Sequence, residues 1–259
     1  MTDAFVVFGS KSDERVYLPF VEKLKKVGIS SEFHVLSAHK TLRELESTLR
    51  DTNASIFIAG AGLSAALPGI IAAKVIKPVI GVPCLGAFDG VDAFLSCVQM
   101  PSDVPVIAVG VENTDSALSL ASNYLHGFSQ IVLIEKKEPL EKKFFLNCKK
   151  FMEENNFPFA VEKKITNDYQ KVFIDFNKLG KKLKKMNSSV INVLVNEKSS
   201  KKDVLKFFDS LQDSYSVGLN NYKNAAIIAL ELINLKGEYS DLLVEMRKTA
   251  EKKVIAANK

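Results

Sequence analysis

Short apolar runs alternate with segments of helical periodicity along the first half of the chain, and this alternation constrains the fold more than any other feature. Strand-like runs occupy residues 4–8, 33–35, 55–59, 78–82 and 104–109, and apolar residues recur at helical spacing between them. Strands that alternate with helices form parallel sheets with right-handed crossovers. The runs lack polar alternation, as expected where helices cover both faces. We therefore predict an α/β fold with a doubly wound parallel sheet.

The loop after the second predicted strand carries the stretch Ser37-Ala-His-Lys-Thr41. Thr41 and Glu44 have the spacing of a capping box, which predicts that a helix begins at this point. His39 and Lys40 would then lie at the carboxyl edge of the sheet, where open α/β sheets bind their ligands. An imidazole in such a place suits general acid–base chemistry near neutral pH.

Small residues also form the loop after the first strand, Gly9-Ser-Lys-Ser-Asp13, and Ser12 or Asp13 is a natural N-cap for the helix that follows. Free backbone N–H groups and the helix dipole favour an anion at such a helix start. Two serines and an aspartate beside a glycine therefore indicate a phosphate or sugar site.

A third loop, Gly60-Ala-Gly-Leu-Ser-Ala65, formally matches the dinucleotide fingerprint G-x-G-x-x-A. That fingerprint needs an acidic residue at the end of the following strand, and here the first carboxylate comes only at Asp89. We therefore reject an NAD-dependent enzyme. The glycines instead predict a close backbone approach to another ligand or to a helix.

The composition, with 47% apolar and 25% charged residues, is that of a globular protein. No apolar run reaches the roughly 18 residues of a membrane span, and the N-terminus lacks the features of a signal peptide. We expect a cytoplasmic protein with no membrane partner. Cys84, Cys97 and Cys148 are too widely spaced for a disulfide framework or a metal clip, so we expect buried free thiols and no metal.

The net charge of +5 comes from lysines in the second half of the chain. These lysines are scattered along helical faces without interleaved aromatic residues, and Arg247 is the one arginine among them. A solvated lysine-rich surface explains this pattern better than a nucleic-acid site does. We therefore predict no nucleic-acid partner.

The pattern of the first half returns in a weaker form from Ser129, which predicts an internal repeat. The run 130–134 matches the first strand, with Val132 at the position of Val6, and residues 217–221 match 109–113. The offset between matched positions falls along the chain, as it would if loops had been shortened in the second copy.

The three small-residue loops have no counterpart in the second copy, where the strand and helix signals persist. We therefore predict two domains, 1–128 with the functional site and 129–259 as a degenerate scaffold. A final helix at about 238–257 occurs once only.

Five motifs of the first half together resemble the PurE family, the N5-carboxyaminoimidazole ribonucleotide mutases of purine biosynthesis. They are Gly9–Asp13, Ser37–Thr41, Ala59–Gly62 with Leu67–Gly69, Pro78–Pro83, and Gly90–Ala93 with Val98–Pro101. The resemblance covers residues 4–126 nearly without gaps, and residues 129–259 resemble the family only as a degenerate copy. It implies a flavodoxin-like three-layer sandwich, duplicated in tandem.

The resemblance implies that His39 is the general acid/base of the reaction. It further implies ligand contacts to the ribonucleotide phosphate, ribose and imidazole from Ser10, Ser12, Asp13, Ser37, Lys40, Leu67 and the backbone of Ala59 and Gly60. The implied reaction moves a carboxyl group from an exocyclic nitrogen to a ring carbon through CO2. It needs neither a metal nor an organic cofactor.

Two residues depart from the mutase class, which usually has arginine at Lys40 and histidine at Ala66. Lysine resembles a second class, which carboxylates aminoimidazole ribonucleotide directly with CO2. The stretches Leu67–Gly69 and Gln99–Pro101 look like the mutase class, so we favour the mutase. Direct carboxylation and a non-catalytic ribonucleotide-binding protein are the alternatives. Resembling family members are octamers, and a tandem chain would imitate the octamer as a homotetramer.

Overall fold

The computed structural model describes residues 2–183 and 187–258, so Met1 and Lys259, which end the two predicted domains, lie outside the described residues. The strands of the first half are β1 (Ala4–Phe8), β2 (Ser31–Val35), β3 (Ile56–Ala61), β4 (Val79–Pro83) and β5 (Ile107–Ala108). Its helices are α1 (Glu14–Lys26), α2 (Leu42–Asp51), α3 (Ala66–Lys74), α4 (Val91–Val98) and α5 (Thr114–His126), and a short 3-10 turn, Lys11–Asp13, precedes α1.

The second half repeats this alternation of strands and helices from Gln130, after a short linker that follows α5. Its strands are β6 (Gln130–Ile134), β7 (Phe159–Glu162), β8 (Lys171–Lys178), β9 (Ser189–Val195) and β10 (Tyr215–Ser216). Its helices are α6 (Pro139–Glu154), α7 (Asp203–Ser210), α8 (Tyr222–Ile233) and α9 (Ser240–Ala256). None of the helices formed by the described residues has both the length and the apolar composition needed to span a bilayer.

All ten described strands form one sheet with the order β2-β1-β3-β4-β5-β10-β9-β8-β6-β7. Each half taken alone has the order 2-1-3-4-5 of flavodoxin-like folds, with parallel neighbours throughout. The two halves meet through one antiparallel pairing, Ala108 of β5 with Ser216 of β10. The predicted α/β fold with a parallel sheet is therefore confirmed.

Helices cover both faces of the sheet, which makes the molecule a three-layer sandwich. One core lies under α1, α5, α6 and α8 and runs across both halves without interruption. The core on the opposite face lies under α2, α3, α4 and α7. Strands β1 and β3 are buried at every position, and this explains why their sequences show no polar alternation.

The register of the ladder corrects one detail of the predicted repeat. We aligned the two halves at the Ala108–Ser216 pair and followed the paired residues from strand to strand across each half. In this alignment Leu133 occupies the position of Val6. Val6 and Leu133 both point into the first core, whereas Val132 faces the other side of the sheet. The prediction that paired Val132 with Val6 is thus wrong by one residue, and such a slip turns a side chain to the opposite face.

Strand β5 is much shorter than the predicted run 104–109. Pro105 has no N–H group for a ladder, and the Val104 N–H closes a turn onto the Pro101 carbonyl instead. The short strand leaves room for β10 to continue the sheet beyond the first half.

Candidate active site

A cleft of about 530 Å³ opens at the carboxyl ends of β1 to β4 in the first half. Four strand-to-helix loops line it, and they contribute mostly small and hydroxyl-bearing residues. The lining residues are Gly9, Ser10, Ser12, Asp13, Ser37, Ala38, His39, Lys40, Ala61, Gly62, Leu63, Ser64, Ala65, Ala66, Leu67, Leu85 and Gly86. The position agrees with the rule that open α/β sheets bind ligands at this edge.

The loop after β1 is folded by its own serines. The Ser10 side chain accepts hydrogen bonds from the Ser12 N–H at 3.2 Å and from the Ser12 hydroxyl at 2.8 Å. Asp13 follows and is only 8% exposed. The pKa of Asp13 is raised, mainly by burial and further by the nearby negative charge of Glu112. The hydrogen bond from Ser12 and the positive charge of Arg15 lower the pKa, but by less. The loop therefore presents two hydroxyls and a largely buried carboxyl group to the cleft.

The loop after β2 is closed by Ser37 and Thr41. The Ser37 hydroxyl accepts from the backbone N–H groups of His39 and Lys40, each at 3.3 Å. The Thr41 hydroxyl accepts from the Ser37 N–H at 2.8 Å and donates to the Ser37 carbonyl at 3.2 Å. These bonds fix the backbone that carries the two exposed side chains, His39 and Lys40.

The same bonds correct the predicted capping box. Helix α2 does begin directly after Thr41, but the Thr41 side chain makes no cap hydrogen bond to the helix. Its hydroxyl is already used by Ser37, so the threonine stabilises the loop rather than the helix end.

The loop after β3 supplies the far wall of the cleft. Ala59 and Gly60, which we expected to line it, lie inside β3 with their backbones paired to β1 and β4. The lining begins one residue later at Ala61 and ends with the buried Leu67. Gly60 is needed for a different reason, because a side chain there would overlap the Phe8 ring.

Seven of the nine predicted site residues thus line one cleft. They are Ser10, Ser12, Asp13, Ser37, His39, Lys40 and Leu67. The sequence reasoning missed Leu63, Ser64, Leu85 and Gly86. Leu85 and Gly86 lie two and three residues after the motif Pro78–Pro83. The motif therefore pointed to their loop, although it identified neither residue as part of the cleft.

The described residues contain no group of three or more His, Cys, Asp or Glu side chains that could hold a metal ion. Cys84, Cys97 and Cys148 are free and buried, and burial raises the pKa of each thiol, to about 12 for Cys97. Thiols in such surroundings are poor nucleophiles.

A second cavity of about 490 Å³ lies between α5 and the starts of β9 and β10. Its polar groups bond to one another: the Asn123 side-chain NH₂ donates to the Ser189 hydroxyl at 3.2 Å, and the Tyr215 hydroxyl donates to the Ser116 carbonyl at 3.2 Å. It contains none of the predicted site residues.

Comparison with known proteins matches the half of the chain that contains the cleft. The profile of the AIR carboxylase family matches residues 3–138, which contain all four cleft loops. The N5-carboxyaminoimidazole ribonucleotide mutase of Methanocaldococcus jannaschii is 39% identical over 151 residues, or 57% of this chain and 96% of that protein. The phosphoribosylaminoimidazole carboxylase of Saccharomyces cerevisiae is 37% identical over 149 residues, covering 53% of this chain and 26% of that protein.

Among solved structures, Treponema denticola PurE matches 60% of this chain and 92% of its own, with 25% identity and a TM-score of 0.42. The family profile spans more than half of the chain, and the relative from Methanocaldococcus jannaschii is matched over nearly its whole length. The chain therefore belongs to the AIR carboxylase family.

Proposed function

We propose that this protein acts in purine biosynthesis and converts N5-carboxyaminoimidazole ribonucleotide into 4-carboxyaminoimidazole ribonucleotide. The observation that carries the proposal is the single cleft lined by His39, the Ser10–Asp13 turn and Lys40. Family membership and the name of the Methanocaldococcus jannaschii relative support the same reaction.

The chemistry of the loops suits a ribonucleotide. The turn before α1 offers two hydroxyls at the positive end of a helix dipole, and Lys40 adds a positive charge, so this end of the cleft would hold the phosphate. Asp13 can accept hydrogen bonds from ribose hydroxyls. Leu67 and Ala66 offer an apolar wall to the imidazole ring.

His39 would carry the proton transfers. The carboxylate on the exocyclic nitrogen is labile, and its loss as CO2 leaves a nitrogen that takes up a proton. Recapture of CO2 at the ring carbon leaves a proton there to be removed. One imidazole can donate in the first half of the reaction and accept in the second, and a cleft that retains CO2 keeps the reactants together.

Direct carboxylation of aminoimidazole ribonucleotide with CO2 is the second candidate. It is favoured by Lys40, and one matched relative is a phosphoribosylaminoimidazole carboxylase. The two reactions share the product and differ in where the carboxyl group comes from. Assays of the purified protein with each substrate at low bicarbonate separate them, because the mutase needs no added CO2.

Replacing His39 with Asn tests the catalytic role. We expect turnover to fall at least about 100-fold, the usual worth of a general acid–base group, while calorimetry still detects binding of the product nucleotide. Full activity in this variant would exclude the role. A wild-type protein that binds the nucleotide and turns over neither substrate would instead be the non-catalytic binding protein.

We also propose that residues 129–259 are a degenerate copy that serves as a scaffold. In the register of the sheet, Lys136 and Asn177 occupy the positions of the cleft residues Gly9 and Ala61. Lys136 forms a close ion pair with Asp175 at 2.5 Å, and the Asn177 amide donates to Asp175 at 2.8 Å. Charged and amide side chains thus fill the region where the first half has its cleft.

The proposed quaternary structure is a homotetramer in the cytoplasm that imitates an octamer of single domains. Exposed apolar side chains beside the cleft support contacts between subunits: Leu63 is 63% exposed, Leu85 46% and Phe88 69%. Sedimentation would give four times the mass of the 28.6 kDa chain. A stable monomer at micromolar concentration would contradict the proposal.

A further inference from the structure

We propose that Glu112 is a positioning residue of the cleft, whose carboxylate holds the Leu85 backbone in place and is itself held by Arg15. The proposal rests on the proposed function, because it concerns the same cleft. None of the five family motifs includes Glu112, which follows β5 and is not among the residues that line the cleft.

The contacts of Glu112 join three loops at the edge of the sheet. Its Oε1 atom accepts a hydrogen bond from the Leu85 N–H at 3.0 Å and an ion-paired hydrogen bond from Arg15 at the start of α1. Its backbone N–H donates to the Pro83 carbonyl at 2.8 Å. The segment from Pro83 to Leu85 is therefore held at both ends by this one residue.

These contacts reach the cleft on two sides. Leu85 and Gly86 form one wall, and the loop that contains them has no other side-chain hydrogen bond to its backbone among the described residues. Arg15 lies two residues from Asp13, which lines the opposite side. Glu112 and Arg15 also act on Asp13 directly, since they shift its pKa in opposite directions.

The backbone of Glu112 is strained. Its φ angle is +54°, in the left-handed region that favours glycine. Asn220, 108 positions later, has the same sign of φ at +61°, so the turn belongs to the fold of both halves. Glycine at Glu112 would relieve the strain. The proposal therefore rests on the two contacts of the carboxylate, and the backbone conformation makes Glu112→Gly a variant that should fold.

The test uses three variants of Glu112. Glu112→Gly removes the carboxylate while relaxing the backbone, so the variant should fold, and Glu112→Ala removes it without that relief. Glu112→Gln keeps an oxygen that can accept from the Leu85 N–H. We expect kcat/KM to fall about tenfold in the Gly and Ala variants and to recover in the Gln variant, because a displaced wall costs orientation of the substrate.

Hydrogen exchange gives a readout that does not depend on activity. Exchange of the segment 84–88, followed by mass spectrometry, should accelerate in Glu112→Gly and return toward the wild-type rate in Glu112→Gln. The matched control is Asp115→Asn, because Asp115 also pairs with a basic residue of α1, Lys23, but is 76% exposed and lies outside the cleft. It should change neither readout.

Two results would overturn the inference: wild-type exchange and wild-type kcat/KM in a folded Glu112→Gly variant, or a Gln variant no better than the Gly variant. Failure of the proposed function is distinguishable from either. A wild-type protein without activity would refute the reaction, and the exchange measurement would still decide whether Glu112 holds the Leu85 loop.

Discussion

The side-chain oxygen of Gln212 accepts a hydrogen bond from the Val111 N–H at 3.1 Å, which joins the two halves of the chain beside the β5–β10 pairing. The same contact occurs in reverse, where the side-chain oxygen of Gln99 accepts from the Leu219 N–H at 3.0 Å. Val111 and Leu219 are 108 positions apart, the spacing of Ala108 and Ser216 at the centre of the junction. Such reciprocity is the property of an isologous interface between two identical units.

The helix caps near the junction repeat this relationship. Asn113 caps α5 and donates to the Gln212 carbonyl at 3.0 Å, and Asn221 caps α8 and donates to the Met100 carbonyl at 3.0 Å. The second cap contact is displaced by one residue, because Asn221 donates to the carbonyl of Met100 and not to that of Gln99. The four contacts still agree in direction and support the proposed duplication better than any of the sequence matches, because hydrogen bonds of this kind depend on the geometry of both halves.

The first prediction follows from this symmetry. Gln212→Ala should lower the free energy of unfolding by roughly 1–3 kcal/mol, because it leaves the partly buried Val111 N–H group without its acceptor. Gln99→Ala should cost less, roughly 0.5–1.5 kcal/mol, because its hydrogen bond with the Leu219 N–H is exposed. Gln170→Ala is the control, since Gln170 is exposed and a change there should stay within about 0.5 kcal/mol. Urea denaturation measures all three, and a neutral result for either junction variant would contradict the symmetric role.

The second prediction concerns the close approach of the halves at Gly110. A Cβ atom there would lie 2.0 Å from the backbone oxygen of Gln212, which cannot move without separating β10 from β5. We expect Gly110→Ala to lower stability by about 3 kcal/mol, the upper end of the usual cost of overpacking.

Gly28→Ala is the comparison for the second prediction, because Gly28 has a φ of +79° with open space around it. Backbone strain alone should cost that variant about 1 kcal/mol. Equal losses in the two variants would mean that the junction tolerates an added methyl group.

The third prediction tests the filled site of the second half. Asp175→Ala should cost about 3 kcal/mol, the lower end for breaking a buried pair, since it leaves unpaired a Lys136 side chain that is only 13% exposed. Replacing both partners, with Lys136→Met and Asp175→Leu, should restore most of the lost stability. Because this pair lies far along the sheet from the cleft, kcat should be unchanged in the double variant. A loss of activity there would contradict the scaffold role.

Much of the first half was predictable because its signals are local. The bounds of β1 agree with the predicted run 4–8, and small residues in successive loops pointed to the cleft before any contact was known. Seven predicted site residues meet there because parallel strands bring every strand-to-helix loop to one edge of the sheet.

The features that the sequence did not reveal are those set by distant partners. The sequence match paired Val132 with Val6 because the two residues are identical. A sequence alone does not show which face of the sheet a side chain will occupy. Ala59 and Gly60 were expected in the cleft, but pairing with β1 and β4 extends β3 past them. Glu112 carries no local signal, since its partners lie 97 and 27 positions away.

The last prediction concerns Glu231 of α8, which is 2% exposed and has an Oε2 atom without a hydrogen-bond partner among the described residues. Burial raises the pKa of Glu231 well above the ordinary value of 4.5, and Arg247 of α9 opposes the shift. The folded protein thus retains a proton that the unfolded chain loses near pH 4.5. The stability from this group is fully present below that pH and is lost as the pH rises through the folded-state pKa.

Glu231→Gln cannot ionise, so it should lack this loss. We expect the free energy of unfolding, measured by urea denaturation, to be higher for the variant than for the wild type. The difference should grow from pH 5 to pH 8 and reach roughly 1–3 kcal/mol, the cost of an unsatisfied buried group. Glu251→Gln, at an exposed position of α9, should show no such trend. A difference between Glu231→Gln and wild type that stays constant with pH would mean that Arg247 already compensates the carboxylate and that Glu231 is ionised in the folded protein.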